Sequence, residues 1–129
     1  MEVKIRNSKD LVGVTALAHD LWFDIDQTLS NYDGKSVSFR LMKSPASKTD
    51  ASGGDLLLEI RNVKELKVID TEKVGLYDFN EIRYNKSTQC IQVSTGIPIV
   101  IEIYVTCLDV TVLFPVISGA ELRLYKNSP

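Results

Sequence analysis

Apolar and polar residues alternate with a period of two along most of the chain. The alternation is clear over residues 21–25, 36–42 and 56–60, and it is longest over residues 99–106. Successive side chains of a strand point to opposite faces, so this period predicts half-buried strands. The apolar positions then change parity, which predicts a bulge or bend near Cys107. About seven or eight such segments favour a mainly β fold, an antiparallel sandwich or an open barrel.

One segment near the N-terminus has the spacing of a helix instead. Apolar residues recur at helical intervals from Leu11 to Ala18, and Ser8 offers an N-cap side chain. We therefore predict a single helix near residues 8–18, which makes the fold class α+β. Gly13 lowers the stability of this helix, since glycine costs about 1 kcal/mol relative to alanine in a helix interior.

Turn-forming residues separate the predicted strands. Asp33 and Gly34 lie between strands over residues 19–26 and 36–42, so we expect these two strands to form a hairpin. A second hairpin is predicted around residues 85–88, which are polar and have turn chemistry.

The length and composition are those of one globular domain. The chain has 129 residues, of which 44% are hydrophobic and 25% are charged, close to the averages of globular proteins. A chain of this length buries enough surface to fold without a metal or a disulfide. We expect a single domain over residues 1–129, with a flexible loop over the polar tract at about 44–54.

The charge balance excludes several kinds of partner. Fifteen basic and seventeen acidic side chains give a net charge of −2, so a broad nucleic-acid surface is not expected. No run reaches the length of a membrane span, about 20 apolar residues, and the N-terminus lacks the features of a secretory signal. We therefore expect a cytoplasmic protein with neither a membrane nor a nucleic-acid partner. No glycine-rich phosphate loop or paired-cysteine motif suggests a cofactor.

The residues most often found in reactive sites are few. Cys90 and Cys107 lie in apolar, strand-like runs, and we interpret both as small buried hydrophobic residues. His19 is the only histidine, so no histidine-rich metal site can form. Asp20 follows it directly, but adjacent strand residues point to opposite faces, which makes the pair a poor catalytic dyad.

The segment over residues 21–29 carries the one string with a likeness to an enzyme motif. An apolar strand ends in Asp24-x-Asp26-x-Thr28, and this pattern resembles the first motif of the haloacid-dehalogenase-like phosphatases. The resemblance implies a doubly wound α/β fold, with Asp24 as nucleophile, Asp26 as general acid/base and Mg²⁺ at the phosphate. The alternative interpretation is a half-buried strand with a solvated acidic face.

Two further hypotheses concern the same strand. Asp20, Asp24 and Asp26 share one face of it and are candidate ligands of a divalent cation. Trp22 shares that face as well. A tryptophan there either anchors a partner protein or packs beneath the N-terminal helix.

The sequence favours a non-catalytic protein-interaction or accessory module over an enzyme. Its partner is expected to be another protein or a second copy of the chain. Both faces of the strand over residues 99–106 carry apolar residues, and a homodimer near Tyr104 would cover one of them. One alternative is a Mg-dependent, phosphatase-like enzyme that uses Asp24 and Asp26. The other is a small-ligand protein with its pocket inside an open barrel.

Overall fold

The computed structural model describes residues 2–43 and 55–116. The loop predicted over residues 44–54 lies outside the described residues. The mainly β content within them confirms the predicted fold class. The helices and strands are, in chain order, β1 (Glu2–Ile5), α1 (Leu11–Ala18), β2 (Trp22–Asp24), α2 (Ile25–Ser30), β3 (Val37–Leu41), β4 (Asp55–Ile60), β5 (Val63–Ile69), β6 (Leu76–Asn85), β7 (Cys90–Thr95), β8 (Val100–Val105) and β9 (Val110–Val116).

The nine strands of these two ranges form two antiparallel sheets. Strands β1, β9, β4 and β3 make a four-stranded sheet in that order, and β2, β6, β7, β8 and β5 make a five-stranded sheet. The antiparallel architecture that the period of two predicts is therefore confirmed. The predicted hairpin around residues 85–88 joins β6 to β7.

Two long, bent strands carry the chain from one sheet to the other. Strand β4 continues into β5 through Arg61 and Asn62, and Asn62 takes a left-handed conformation with a φ of 59°. Beside it, β8 continues into β9 across residues 106–109, so the bend predicted near Cys107 lies between these strands. The Thr106 amide donates to the Asn62 carbonyl at 3.0 Å, which fixes the corner.

On the other side, a backbone bridge joins the two sheets. Trp22 on β2 and Met42, directly after β3, exchange two N–H···O=C hydrogen bonds of 2.7 Å. The strand pairings therefore run around a ring, from β3 through the two bent strands to β7, β6 and β2. The sheets curl around one apolar core in the manner of a barrel wall.

Aromatic side chains occupy the centre of this core. Phe23, Phe39, Tyr77 and Phe79 are fully buried. The rings of Phe23 and Phe39 meet edge to face, with centroids 5.2 Å apart, and such pairs add about 0.5–1.5 kcal/mol beyond the area that they bury. Strands from both sheets contribute these rings, so the core is shared between the sheets.

A short 3₁₀ turn precedes the N-terminal helix. Asn7, rather than the predicted Ser8, caps this turn, because its Oδ1 accepts a hydrogen bond from the Asp10 amide at 3.3 Å. Helix α1 then packs against β6, with Leu11 and Ala18 on its buried face. The predicted N-terminal helix is therefore present, with its first turn wound more tightly.

The acidic segment differs from its prediction. Strand β2 ends at Asp24, and residues 25–30 form a second helix, α2, that the period of two does not predict. This helix separates the two segments that were expected to form a hairpin, and β2 pairs instead with β6. The expected hairpin is therefore wrong, apart from the bridge between Trp22 and Met42.

Candidate functional site

A groove separates α2 from β5. Its volume is about 700 Å³, within the range of about 300–1,000 Å³ that is typical of ligand sites. Helix α2 forms one wall, and β5 with the turn over residues 70–75 forms the other. The lining combines apolar and charged side chains, and comprises Ile25, Asp26, Leu29, Tyr32, Leu66, Val68, Asp70, Lys73 and Gly75.

The first wall exists because Asp24 caps α2. Its carboxylate accepts hydrogen bonds from the amides of Asp26 and Gln27 at 2.9 and 3.2 Å, two of the donors that the first turn of a helix leaves unpaired. The Thr28 hydroxyl donates to the Asp24 carbonyl at 3.0 Å. The helix buries Thr28 and leaves Leu29 42% exposed beside the groove.

The second wall is a sheet edge, since among the described residues β5 pairs with β8 on one side only. In an antiparallel sheet, successive residues bond alternately to the two neighbouring strands. The Val105 amide of β8 donates toward β7, so Tyr104 of β8 bonds toward β5, where its partner is Glu65. By the same alternation, the N–H and C=O groups of Leu66 and Val68 point away from β8. Both residues line the groove.

Backbone hydrogen bonds limit the unpaired stretch of β5 at both ends. The Val63 amide donates to the Lys35 carbonyl at 2.8 Å, where the loop after α2 reaches β5. The Ile25 amide donates to the Gly75 carbonyl at 2.9 Å, where the turn after β5 returns to α2. Only a short stretch of β5 therefore has outward backbone groups available for pairing.

A buried tyrosine holds the turn over residues 70–75. The Tyr77 hydroxyl donates to Asp70 Oδ1, which also accepts from the Lys73 amide at 3.0 Å. The same hydroxyl accepts from the Val74 amide at 3.1 Å. Burial, together with the hydrogen bond to Asp70, raises the pKa of Tyr77, so this hydroxyl stays protonated and can donate.

The groove is lined by more acidic than basic side chains. Asp26 and Asp70 contribute two carboxylates, whereas Lys73 contributes one ammonium group. Glu72, exposed on the same turn, adds to the acidic excess. Such a surface attracts positively charged ligands, and salt weakens the attraction.

The structure does not bring the three candidate aspartates together. Asp20 lies in the turn before β2 with a φ of 71°, and its exposed carboxylate is 3.2 Å from His19 Nδ1. Asp24 caps α2, and of the three only Asp26 lines the groove. The predicted common face is wrong because the strand ends at Asp24. Within residues 2–43 and 55–116, no group of three His, Cys, Asp or Glu side chains is placed to hold a metal ion.

The fold also differs from the one that the phosphatase resemblance implies. That family has a doubly wound, parallel sheet, whereas β2 pairs antiparallel with β6. The carboxylate that the resemblance assigns as nucleophile, on Asp24, already accepts two backbone N–H groups. The activity itself stays a prediction.

The two cysteines have different surroundings. Cys90 is buried as predicted, and burial raises the pKa of its thiol. Cys107 is exposed at the corner between β8 and β9, where its Sγ accepts from Asn62 Nδ2 at 3.0 Å. The predicted burial of Cys107 is wrong because the strand is interrupted at this position.

Two aromatic residues singled out in the sequence, Trp22 and Tyr104, are half-buried. Tyr104 lies on the outer face of the five-stranded sheet, where its hydroxyl donates to Glu102 at 3.4 Å. Glu102 also pairs with Lys67 of the neighbouring strand at 3.7 Å. This face is therefore more polar than residues 99–106 alone indicate, since part of its charge comes from β5.

Sequence reasoning missed most of the residues that line the groove. Leu29, Tyr32, Leu66 and Val68 were not singled out as functional residues. They come from two separate stretches of the chain, and no local pattern links these stretches. Only the pairing of β5 with β8 and the turn of the chain into α2 bring them together.

Comparison with known protein families, curated proteins and solved structures gives no match for the chain. In the part of the chain that the structure describes, no helix combines the length and apolar character needed to cross a bilayer. The geometry of the groove is therefore the basis for a functional proposal.

Proposed function

We propose that the protein is a non-catalytic interaction module that binds a segment of another protein in the groove between α2 and β5. The observation that supports this most strongly is the edge of β5 at Leu66 and Val68, which no strand of residues 2–43 and 55–116 pairs. An open sheet edge is a template for pairing with another chain, and proteins usually cover it. Here the edge faces a groove of ligand size.

Apolar side chains around this edge supply a contact surface. Leu29 is 42% exposed, and Tyr32, Leu66 and Val68 are half-buried. Removing apolar area from water contributes about 25 cal/mol per Å². Covering a partly exposed leucine therefore contributes on the order of 1 kcal/mol to binding, and several such residues lie together in the groove.

Site-specific photo-crosslinking identifies the partner. A photoreactive phenylalanine analogue replaces Leu29, and in a control it replaces Leu17 on α1. Leu17 is a suitable control because it is an exposed leucine on the other helix, at 53% against 42%. In cells that produce the protein, we expect a crosslinked partner from position 29 that position 17 does not give.

Titration of the purified partner then tests the proposal. Leu29→Glu is expected to weaken binding at least about tenfold, or 1.4 kcal/mol, because it places a charge against the apolar lining. Leu17→Glu is expected to leave the affinity unchanged, and circular dichroism checks that both variants fold. An unchanged affinity for Leu29→Glu, or a loss confined to Leu17→Glu, would contradict the proposal.

A second copy of the chain is the other protein partner that the sequence favours, with Tyr104 at the interface. Val100, on the same outer face, is 41% exposed and supplies apolar area beside it. Light scattering at micromolar concentration tests this homodimer. A dimeric mass that Tyr104→Glu reduces to the monomer supports it, and a monomeric mass unchanged on dilution excludes it.

A small-ligand protein is the second candidate function, favoured by the groove volume of about 700 Å³. A fragment screen by NMR separates it from the first. Micromolar binding of a small molecule that shifts the amides of Leu66 and Val68, with no crosslinked partner from position 29, would favour the small-ligand protein.

The Mg-dependent, phosphatase-like enzyme is the third hypothesis from the sequence. Its support is limited to the string around Asp24 and Asp26, because the sheet is antiparallel. A general phosphatase assay with and without Mg²⁺ tests it. Turnover that requires Mg²⁺ and disappears in both Asp24→Asn and Asp26→Asn would establish the enzyme and displace the interaction module.

A further inference from the structure

We infer that the groove binds a short, extended and positively charged segment of the partner, which adds as a strand to the edge of β5. This inference rests on the proposed function and specifies the form and charge of what the groove takes. It follows from the backbone groups of β5, from the hydrogen bonds that limit its unpaired stretch and from the charges that line the groove.

The backbone of β5 determines the extended form. Leu66 and Val68 each direct one N–H and one C=O group away from β8, and they lie two residues apart. Such groups repeat at intervals of about 6.6 Å along a strand. Another strand presents donors and acceptors at the same interval, whereas a helix has already paired its own backbone groups. A strand-shaped occupant therefore satisfies this edge and a helical one does not.

The two ends of the unpaired stretch of β5 determine the length of the segment. At one end the Val63 amide already donates to the Lys35 carbonyl, and at the other Asp70 begins the turn that returns to α2. Between these points only Leu66 and Val68 direct backbone groups outward from the regular part of the strand. An added strand needs about three or four residues to bond both of them. A chain terminus or an exposed loop supplies such a segment.

The neighbouring side chains determine the apolar positions. Residues of an added strand that lie opposite Leu66 and Val68 point to the same face of the sheet as these two. That face leads into the groove, which Leu29 and Tyr32 also line. The segment is therefore apolar at alternate positions.

The charged side chains of the groove determine the charge at one end of the segment. Two carboxylates, of Asp26 and Asp70, line the groove against the single ammonium group of Lys73, and Glu72 lies exposed on the adjacent turn. Asp70 directly follows β5, and the Ile25 amide bonds to the Gly75 carbonyl, so these groups lie at the turn end of β5. Lysine or arginine at this end of the segment complements the acidic excess, and aspartate or glutamate is repelled by it. Charge thus selects among segments that the backbone alone would accept.

Selection from a random peptide library provides the probe. Phage-displayed hexapeptides are selected on the wild-type protein and depleted on Leu29→Glu. We expect the selected peptides to carry apolar residues at alternate positions and a lysine or arginine at one end. Enrichment of acidic peptides, enrichment of helical spacing, or no enrichment over Leu29→Glu would overturn the inference.

Amide exchange of the isotope-labelled protein then tests strand addition directly. In the free protein the amides of Leu66 and Val68 are expected to exchange at least about tenfold faster than those of Lys67 and Ile69, which bond to β8. A saturating selected peptide is expected to slow exchange at Leu66 and Val68 to the level of their neighbours. The same peptide with N-methyl groups at alternate amides, which removes its inward donors, is expected to give no such protection.

Charge is tested with a matched pair of variants. Asp26→Asn is expected to weaken binding of the basic peptide at least about threefold in low salt and to reduce its salt dependence. Asp10→Asn, at an exposed aspartate before α1, is expected to change neither. Equal effects of the two variants would overturn the assignment of charge to the groove.

Failure of this inference is distinguishable from failure of the proposed function. If the partner crosslinked at position 29 binds wild type but not Leu29→Glu, and leaves the exchange of Leu66 and Val68 unchanged, the groove is an interaction site that does not add a strand. If Leu29→Glu has no effect on that partner, the proposed function fails as well.

Discussion

The carboxylate of Asp24 holds the start of α2 by accepting the amides of Asp26 and Gln27. Asp24→Ala is expected to lower the free energy of unfolding by about 1 kcal/mol, within the range of about 0.5–2 kcal/mol for an N-cap. Asp24→Asn is expected to lose less stability than Asp24→Ala, because asparagine caps a helix as well as aspartate does. Urea unfolding measures both. An equal loss in the two variants would show that the charge matters rather than the cap.

The Tyr77 hydroxyl joins the turn over residues 70–75 to the core. Tyr77→Phe leaves Asp70 and the Val74 amide without this partner, so it is expected to cost about 1–3 kcal/mol at neutral pH. Tyr84→Phe, at a half-buried tyrosine on the same strand, is the matched control and is expected to cost less. Thermal or urea unfolding compares them, and equal losses would contradict the role given to the Tyr77 hydroxyl.

The raised pKa of Tyr77 adds a dependence on pH. A tyrosine in the unfolded chain loses its proton at about pH 10, whereas burial raises the pKa of Tyr77 in the folded protein. Above about pH 10 the unfolded chain therefore binds fewer protons than the folded one. This contribution to stability is complete below that pH and is lost as the pH rises through the folded pKa. Stability above pH 10 should fall less steeply in Tyr77→Phe than in wild type, and parallel curves would argue against it.

Part of this residue-scale structure is readable in the sequence. Asp24 followed three positions later by Gln27 is a known signature of a helix start. The alternation of apolar residues before it favours a strand and conceals that signature. Phe23 follows the alternation and is buried. The strand pattern is therefore correct up to Asp24, which ends β2 and caps α2. The role of Tyr77 has no such signal, since it depends on where Asp70 lies.

Substitution of alanine for two glycines is expected to change the stability of the protein in opposite directions. A Cβ added to Gly13 on α1 meets no atom within 4 Å, so Gly13→Ala is expected to stabilise the protein by about 0.5–1 kcal/mol. A Cβ added to Gly96, between β7 and β8, would overlap the Asp78 carboxylate. That carboxylate accepts the amides of Gly96 and Ile97 at 2.9 and 3.3 Å. Displacing it is expected to cost about 1–3 kcal/mol.

Thermal unfolding of the two variants checks these signs. A destabilised Gly13→Ala would show that α1 is strained in a way that its open surroundings do not indicate. A neutral Gly96→Ala would show that the Asp78 carboxylate moves aside without loss.

At the scale of elements, strand existence was predictable and strand pairing was not. The period of two identifies β3, β4 and β8, because each buries one face against the core. Apolar residues occupy even positions in both β4 and β5, but Asn62, Val63 and Lys64 interrupt the alternation, and the chain changes sheets at Asn62, whose φ is 59°. The interruption marks the corner but does not show which strand β5 pairs with. The free edge of β5, and with it the second wall of the groove, therefore had no signal in the sequence.

At the scale of the whole molecule, the groove depends on pairings between distant parts of the chain. Among the described residues, the first strand, β1, pairs with the last, β9, and β2 pairs with β6 across more than fifty residues. The ring that results brings α2 opposite β5. Fold class follows from the period of single segments, whereas the position of the groove follows from the order of all the strands. Alternation alone does not determine that order, because it leaves open which strands are neighbours.

The closed ring predicts that both sheets unfold together. Trp22 is the only tryptophan and forms the bridge to Met42 that joins the sheets, so its fluorescence reports on the junction while far-UV circular dichroism reports on all strands. In urea the two transitions are expected to coincide. Ile60→Val on β4 and Ile103→Val on β8 remove one methyl each from fully buried positions, one in each sheet. Each is expected to cost about 0.5–1.5 kcal/mol and to lower both midpoints equally. If Ile60→Val shifted the circular dichroism without moving the fluorescence midpoint, the sheets would be separate units and the single domain predicted over residues 1–129 would be wrong.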